Sequence, residues 1–280
     1  MEIITDPQVM RQRALAAQRS GQRIAFVPTM GFLHAGHLSL LQEGRQRGDL
    51  LILSIFVNPT QFGPNEDLAT YPRSLESDCE LAQSAGTDLV FTPTATALYP
   101  SDASTWINVE GLTEVLCGAS RPQHFRGVTT VVNKLFNLVQ PDVALFGCKD
   151  FQQLAVIKRM VRDLDIPVEI VGMPIVREVD GLALSSRNVY LTPGERQQAL
   201  VLSRAIATAR QLAASGEDGA GEILEVVKSM ISGMPAARID YLQICHQGTL
   251  QEQVHIDSDS VLLLAIFIGK TRLIDNSFLL

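Results

Sequence analysis

The chain has 280 residues, and its 23 Lys and Arg against 30 Asp and Glu leave a formal net charge of −7. With 46% hydrophobic and 19% charged residues it is too apolar and too weakly charged for a disordered chain. The acidic balance argues against a broad nucleic-acid surface, and the longest strongly apolar run, Val261 to Gly269, is about half a bilayer span. The first residues, Met1 to Asp6, show no basic leader followed by an apolar stretch, so no signal peptide is expected. Cys79, Cys117, Cys148 and Cys245 form no CxxC pair, which points to reduced thiols in a cytoplasm and to no zinc ribbon.

In chain order, Arg23 to Val27 is expected to be a strand that Pro28 ends, since proline supplies no ladder N–H. A helix follows from near Gly36, and Leu50 to Val57 is nearly all apolar, as in a strand covered on both faces. Leu75 to Ala85 reads as helix, Leu89 to Phe91 as strand, Val128 to Val139 as helix, and Val143 to Phe146 as strand. Gln152 to Leu164 is again helical, and Val168 to Val171 closes the series. Strand and helix alternating at this spacing imply a parallel α/β sheet.

Texture changes after about Pro174. Thr192-Pro193-Gly194-Glu195 is a helix start with a capping box and proline at N1, followed by Gln197 to Ala214 as helix. Gly221 to Ile231 is a further helix, Ile239 to Cys245 and Val261 to Ile268 are strands, and Lys270 to Leu280 is read as a short tail. The expected division is an α/β domain over 1–175 and a smaller C-terminal α+β domain over 176–280.

The chemistry-bearing segment is Pro28-Thr29-Met30-Gly31-Phe32-Leu33-His34-Ala35-Gly36-His37, between a strand and a helix. In an open parallel sheet, ligands bind at the carboxyl ends of strands, where a helix N-terminus offers free N–H groups to phosphate. Gly31 and Gly36 permit close backbone approach, and the two histidines can donate to charge on a transferring phosphoryl group. The bland alternative is a loop whose histidines cap a helix. No third ligand stands at metal spacing, and the segment is neither a GxGxxG fingerprint nor a GKT-type phosphate loop.

His34-Ala35-Gly36-His37 matches the His-x-Gly-His signature of the nucleotidylyltransferase superfamily. Pro28 to Gly31, Ile55-Phe56-Val57-Asn58-Pro59-Thr60-Gln61-Phe62-Gly63 and Tyr71-Pro72-Arg73 narrow the match. So do His124 to Val128, Phe146 to Gln153, Leu184 to Asn188 and the ending Gly269 to Asn276. Together these segments resemble the pantoate–β-alanine ligase (pantothenate synthetase) family nearly end to end. The resemblance implies a Rossmann-like first domain, a closing second domain, a homodimer and a two-step reaction. Pantoate carboxylate attacks the α-phosphate of ATP, giving pantoyl adenylate and pyrophosphate, and β-alanine then displaces AMP. ATP and pantoate together bring about five negative charges, which magnesium, Lys149, Arg187, the histidines and helix amides would offset.

By the same resemblance the catalytic group is His37, His34, Lys149 and Arg187. His37 donates toward the reacting phosphoryl group, His34 and Lys149 meet phosphate, and Arg187 stabilises charge on pyrophosphate. ATP lies along Met30, Gly31, Phe32, Leu33, His34, Ala35, Gly36 and His37, then Gly147, Cys148, Lys149 and Asp150, then Val176, and finally Leu184, Ser185, Ser186 and Arg187. Gln61 and Gln153 face pantoate, and Gln61 borders the β-alanine pocket. Mg2+ accompanies ATP as cofactor, with no protein metal site assigned.

Two departures stand out. Cys148 replaces the family's usual Glu; its side chain is expected to point away from Lys149 with little loss of activity, and a reactive thiolate beside that lysine is the alternative reading. Gln123 stands where glycine is usual. Asp78 and Asp88 are either caps and turns or outer-sphere magnesium partners. Beside the ligase reading stand a nucleotidylyltransferase making a stable conjugate and a non-catalytic nucleotide sensor. A tRNA synthetase is disfavoured, because the chain is short and lacks a basic anticodon-binding region.

Overall fold

The computed structural model describes residues 1–64 and 66–280. Six parallel strands form the first sheet: β1 (Glu2–Ile4), β2 (Ile24–Thr29), β3 (Leu50–Ile55), β4 (Leu89–Phe91), β5 (Val143–Gly147) and β6 (Glu169–Met173), in the order β1-β4-β3-β2-β5-β6. The helices between them are α1 (Pro7–Arg19), α2 (Ala35–Arg47), α3 (Leu75–Ser84), the single turns α4 (Ala95–Leu98) and α5 (Cys117–Ser120), α6 (His124–Val139) and α7 (Phe151–Asp163). Strands β2, β3 and β5 are fully buried along most of their length, which explains their near-continuous Val, Leu, Ile and Phe.

Strand order reverses between β2 and β5. The chain runs one way through β3, β4 and β1 and the other way through β6, so the crevice at the carboxyl ends of β2 and β5 is the topological switch point. Pro28 does not end β2. It lies in register with Ser54 of β3, while pairing with β5 stops at Phe26 and Ala144. The carbonyl of Thr29 accepts from Phe56 N–H on the β3 side, so the position of Pro28 faces β5, where the strands have parted and no ladder N–H is required.

The C-terminal part builds α8 (Pro193–Ala199), α9 (Val201–Ala214), α10 (Ala220–Ser232) and an antiparallel sheet β7 (Ala237–His246), β8 (Ser260–Ile268), β9 (Thr271–Phe278). The expected capping box is present, with Thr192 and Glu195 bonding reciprocally. The single helix expected beyond it is instead two helices meeting at Leu200, where ψ is −12°. The expected tail is also corrected: Thr271 to Phe278 is a full strand, paired to β8 after a turn at Gly269 with φ +57°. Its alternation places Leu273 in an apolar core shared with α9 and α10. The opposite face of the small sheet meets the first core through Cys245, Val261 and Leu263.

Candidate active site

Between β2 and α2 the backbone turns sharply, with Gly31 at φ +83° and Phe32 at φ +51°. A Cβ on residue 31 would stand 2.9 Å from Asp78 Oδ2 and 3.0 Å from Ile55, so glycine is required there for space as well as conformation. Asp78 of α3 is 2% exposed and accepts from Phe32 N–H at 2.8 Å and Leu33 N–H at 2.6 Å. Its carboxylate is therefore committed to the loop that delivers the histidines.

His34 is the N-cap of α2. Its Nδ1 accepts from Gly36 N–H at 3.1 Å, and His37 Nδ1 accepts from His34 N–H at 3.2 Å, a capping box built from two histidines. The rings lie 4.1 Å apart and tilted by 36°. With both Nδ1 atoms accepting, each neutral ring carries its proton on Nε2. Burial, reinforced by Lys149, lowers His34 to about 4; burial, His34 and Lys149 lower His37 to about 3. Both are neutral donors near pH 7. The capping and phosphate-donor readings are thus compatible, because they use different nitrogens.

Gln61 is held from three directions. Asn58 Nδ2 donates to Gln61 Oε1 at 3.1 Å, Gln61 Nε2 points to Met30 Sδ at 3.1 Å, and the Gln61 carbonyl accepts from His124 Nδ1 at 2.8 Å. Arg121 donates to His124 Nε2 at 3.2 Å, which fixes the neutral tautomer, and burial with Arg121 lowers His124 to about 4. Gly127 packs so closely that a Cβ would meet Thr60 O at 2.5 Å. The loop before α6 keeps its turn despite Gln123, which adopts φ +69°, a left-handed strain of about 1 kcal/mol that glycine avoids. Helix α6 consequently begins at His124, four residues before the sequence pattern suggested.

These segments enclose a cavity of about 230 Å³. Met30, His34, Gly36 and His37 line it from the first turn, and Gln61 from the second. Gly147, Lys149, Asp150 and Gln153 follow from the end of β5, then Val176, then Leu184, Ser185, Ser186 and Arg187. Gly31, Phe32, Leu33, Ala35 and Cys148 do not line it. The first three shape the turn, and Ala35 is exposed on α2. Sequence reading missed the apolar wall, Phe56 with Val128, Val131, Val132 and Leu135 of α6, because helical spacing alone does not separate a pocket wall from core. Asn58 and Tyr71 were missed as well.

A larger cleft of about 1030 Å³ adjoins the cavity and shares Lys149, Asp150, Gln153, Ser185 and Arg187 with it. Arg187 stands at this junction, bonded through Nε and Nη2 to both oxygens of Asp67 at 3.0 and 2.9 Å. Arg187 is therefore paired with a carboxylate on the loop after Gln61, and phosphate would have to compete with that pair. Cys148 faces β6 instead, its Sγ within 3.1 Å of where a Gly172 Cβ would stand. Burial raises the thiol pKa, and the cation that opposes this is Lys158, not Lys149, which corrects the reactive-thiolate reading. Among the described residues no group of three His, Cys, Asp or Glu could hold a metal, and no helix is long and apolar enough to cross a membrane.

His34, His37 and His124 all fold with pKa values below the ordinary 6.5. Each is neutral in the native state and protonated in the unfolded chain in mild acid, so its stabilisation is full above about pH 6.5 and is lost as pH falls toward 4 and 3. The thermal midpoint is expected to fall between pH 7 and pH 5, above the range where carboxylates titrate. Melts at constant ionic strength check this, and a midpoint unchanged over that interval would contradict it.

The family described as Pantoate-beta-alanine ligase matches residues 2–278. The chain belongs to the pantoate–β-alanine ligase family. A relative named Pantothenate synthetase from Syntrophotalea carbinolica is 60% identical over 280 residues, covering 100% of this chain and 99% of that protein. One of the same name from Trichlorobacter lovleyi is 58% identical, covering 100% and 99%. The crystal structure of pantothenate synthetase from Thermus thermophilus superposes with a TM-score of 0.94 at 45% identity, covering 100% and 99% of the two chains. The Francisella tularensis pantoate–β-alanine ligase, complexed with β-γ ATP and β-alanine, gives 0.81 at 34%, covering 99% and 97%. The chain is thus an ATP-dependent ligase that joins pantoate to β-alanine. The conjugate-forming transferase and sensor readings give way to it.

Proposed function

We propose that the small cavity holds pantoate and the reacting end of ATP, and that pantoyl adenylate forms there. What carries the reading is convergence: His34, His37, Gln61, Lys149, Gln153 and Arg187 come from separate segments and line one space at the switch point. Pantoate is a hydroxy acid with a gem-dimethyl carbon. The valines and Leu135 of α6 with Phe56 suit its methyls, and the carboxamides of Gln61 and Gln153 suit its hydroxyl and carboxylate. Gln61 is shared with β-alanine. ATP would run from Val176 at the adenine, past the α2 N-terminus, to Lys149 and the Ser185-Ser186-Arg187 turn. Arg187 exchanges Asp67 for phosphate as the triphosphate enters, and charge-assisted bidentate bonding suits either partner.

His37 donates from Nε2 to the phosphoryl oxygens as charge builds on them, and His34 binds phosphate in the same way. Magnesium fits as an ion carried in by the nucleotide. Asp150 is the single carboxylate among the described residues lining the small cavity, and Mg2+ on a triphosphate commonly keeps water and one or two carboxylates. Bound there with Asp150, it would neutralise phosphate charge. Residues 176–280 would act as a lid domain on residues 1–175, keeping water from the acyl adenylate until β-alanine arrives. The family resemblance supports a homodimer, testable by sedimentation, and the four free thiols accord with a cytoplasmic enzyme.

An assay omitting ATP, pantoate or β-alanine in turn, together with pantoate-dependent exchange of labelled pyrophosphate into ATP, tests the scheme. Gln61→Ala and Gln153→Ala are each expected to raise the pantoate KM in exchange by about tenfold or more, with the ATP KM little changed. Unchanged pantoate dependence would remove both glutamines from the pocket.

A further inference from the structure

The C-terminal Gly269 to Asn276 segment is family-like in sequence, yet no role for it follows from the reaction. In the fold its last two residues reach the nucleotide loops. Asn276 of β9 is 7% exposed, and its Nδ2 donates to the carbonyls of Cys148 and Lys149, both at 2.9 Å. A carboxamide nitrogen has two hydrogens, so one side chain ties two successive peptides of the Gly147-Cys148-Lys149-Asp150 turn. Asp275 is 2% exposed; its Oδ1 accepts from the Asn276 N–H at 2.8 Å. The same carboxylate takes both Nη atoms of Arg177, at 2.7 and 2.9 Å. Arg177 follows Val176 and also donates to Gly181 O at 3.1 Å, and Leu184 N–H returns to Val176 O at 3.0 Å.

Two adjacent side chains of one strand therefore hold three separate parts of the nucleotide site: the turn carrying Lys149, the wall at Val176, and the hairpin that leads to Ser185 and Arg187. The dipeptide belongs to β9, whose strand partner is β8, so the register of the small sheet is transmitted to these loops. A buried carboxylate with a bidentate arginine and a buried amide with both hydrogens used are rigid supports of the kind that hold a reacting constellation in place.

We propose that Asp275 and Asn276 are positioning residues that set the Lys149 turn for the triphosphate and couple it to the placement of the C-terminal sheet. The inference rests on the reading that Lys149 meets ATP phosphates. Neither side chain touches substrate in this scheme. What they supply is the direction of two peptide groups and of the lysine between them.

The full-length enzyme with Asn276→Ala, Asn276→Ser and Asn276→Asp tests this, using pantoate-dependent pyrophosphate exchange with separate KM values for ATP and pantoate. A filler of volume would tolerate Asn276→Asp best, since it is nearly isosteric. Hydrogen-bond donation predicts the reverse order, because a carboxylate would face two carbonyl oxygens. Asn276→Ala is expected to lower kcat/KM for ATP by about tenfold and Asn276→Asp by about 100-fold, with pantoate KM within about twofold. Asn276→Ser, with one donor, is expected to lose less than Asn276→Ala. Asn276→Asp as active as the unsubstituted enzyme, Asn276→Ser no better than Asn276→Ala, or a loss falling equally on pantoate would overturn the inference. No exchange in the unsubstituted enzyme would instead overturn the reading of the Lys149 site on which it rests.

Discussion

Replacing His37 with alanine is expected to slow pantoyl-adenylate formation by about 100-fold, a barrier increase of about 2.7 kcal/mol. The magnitude is that of one well-placed donor to developing negative charge in a site removed from water. The two nitrogens of His37 separate its roles. Nδ1 accepts from the His34 N–H and so stabilises the start of α2, which leaves Nε2–H as the donor proposed for the phosphoryl group. Alanine removes both. An asparagine side chain is too short to donate at the same point but still has an oxygen for the cap, so His37→Asn should keep most of the thermal stability and little of the rate. Single-turnover formation of AMP-linked product, with melts on the same samples, checks the pair. A loss below about tenfold would assign the chemistry elsewhere. The free enzyme's pH profile carries a second signature. With His37 lowered to about 3 by burial and by His34 and Lys149, the donor is the neutral ring. kcat/KM for ATP should show no inflection from His37 between pH 5 and 8.

Much of the candidate site was legible because chemistry requires particular residue types at strand ends. The histidine pair, the two glutamines, Lys149 and the serine turn each follow a strand or a sharp turn, and a parallel sheet gathers such ends at one edge. What stayed hidden depends on contacts between distant segments. Nothing local marks Asp78 as the partner of Phe32 and Leu33, because the pairing crosses from α3 to the β2–α2 turn. Likewise His124 reads as part of a motif, yet its role in holding the Gln61 carbonyl appears only when α6 packs on the turn after β3. The Pro28 expectation failed for a similar reason. Proline is excluded from a strand with partners on both sides, and one side of β2 is open at that position. The tail became β9 because β8, almost wholly apolar, needed a second neighbour for its backbone groups.

The largest effect on stability is expected from Asp78→Ala. The carboxylate is buried, and its two oxygens are divided between two N–H groups of a turn already strained at Phe32, with Leu33 N–H on Oδ1 and Phe32 N–H on Oδ2. Alanine leaves both donors without a partner in a place water does not reach, a cost of about 3 kcal/mol. For a chain of this size that is a fall in Tm of roughly 6–12 °C. Adenylation should fall with it, since the same turn sets the His34 cap from which both rings are aimed. Asp78→Asn is a sharper probe. An amide offers one oxygen, so its NH2 group would confront one of the two backbone donors, and the substitution should recover only part of the stability. A magnesium partner would behave differently: Asp78→Asn would leave Tm nearly unchanged and lose activity that excess Mg2+ restores. A fall in Tm with no dependence on Mg2+ assigns the carboxylate to the loop, and an unchanged Tm with magnesium rescue assigns it to the ion.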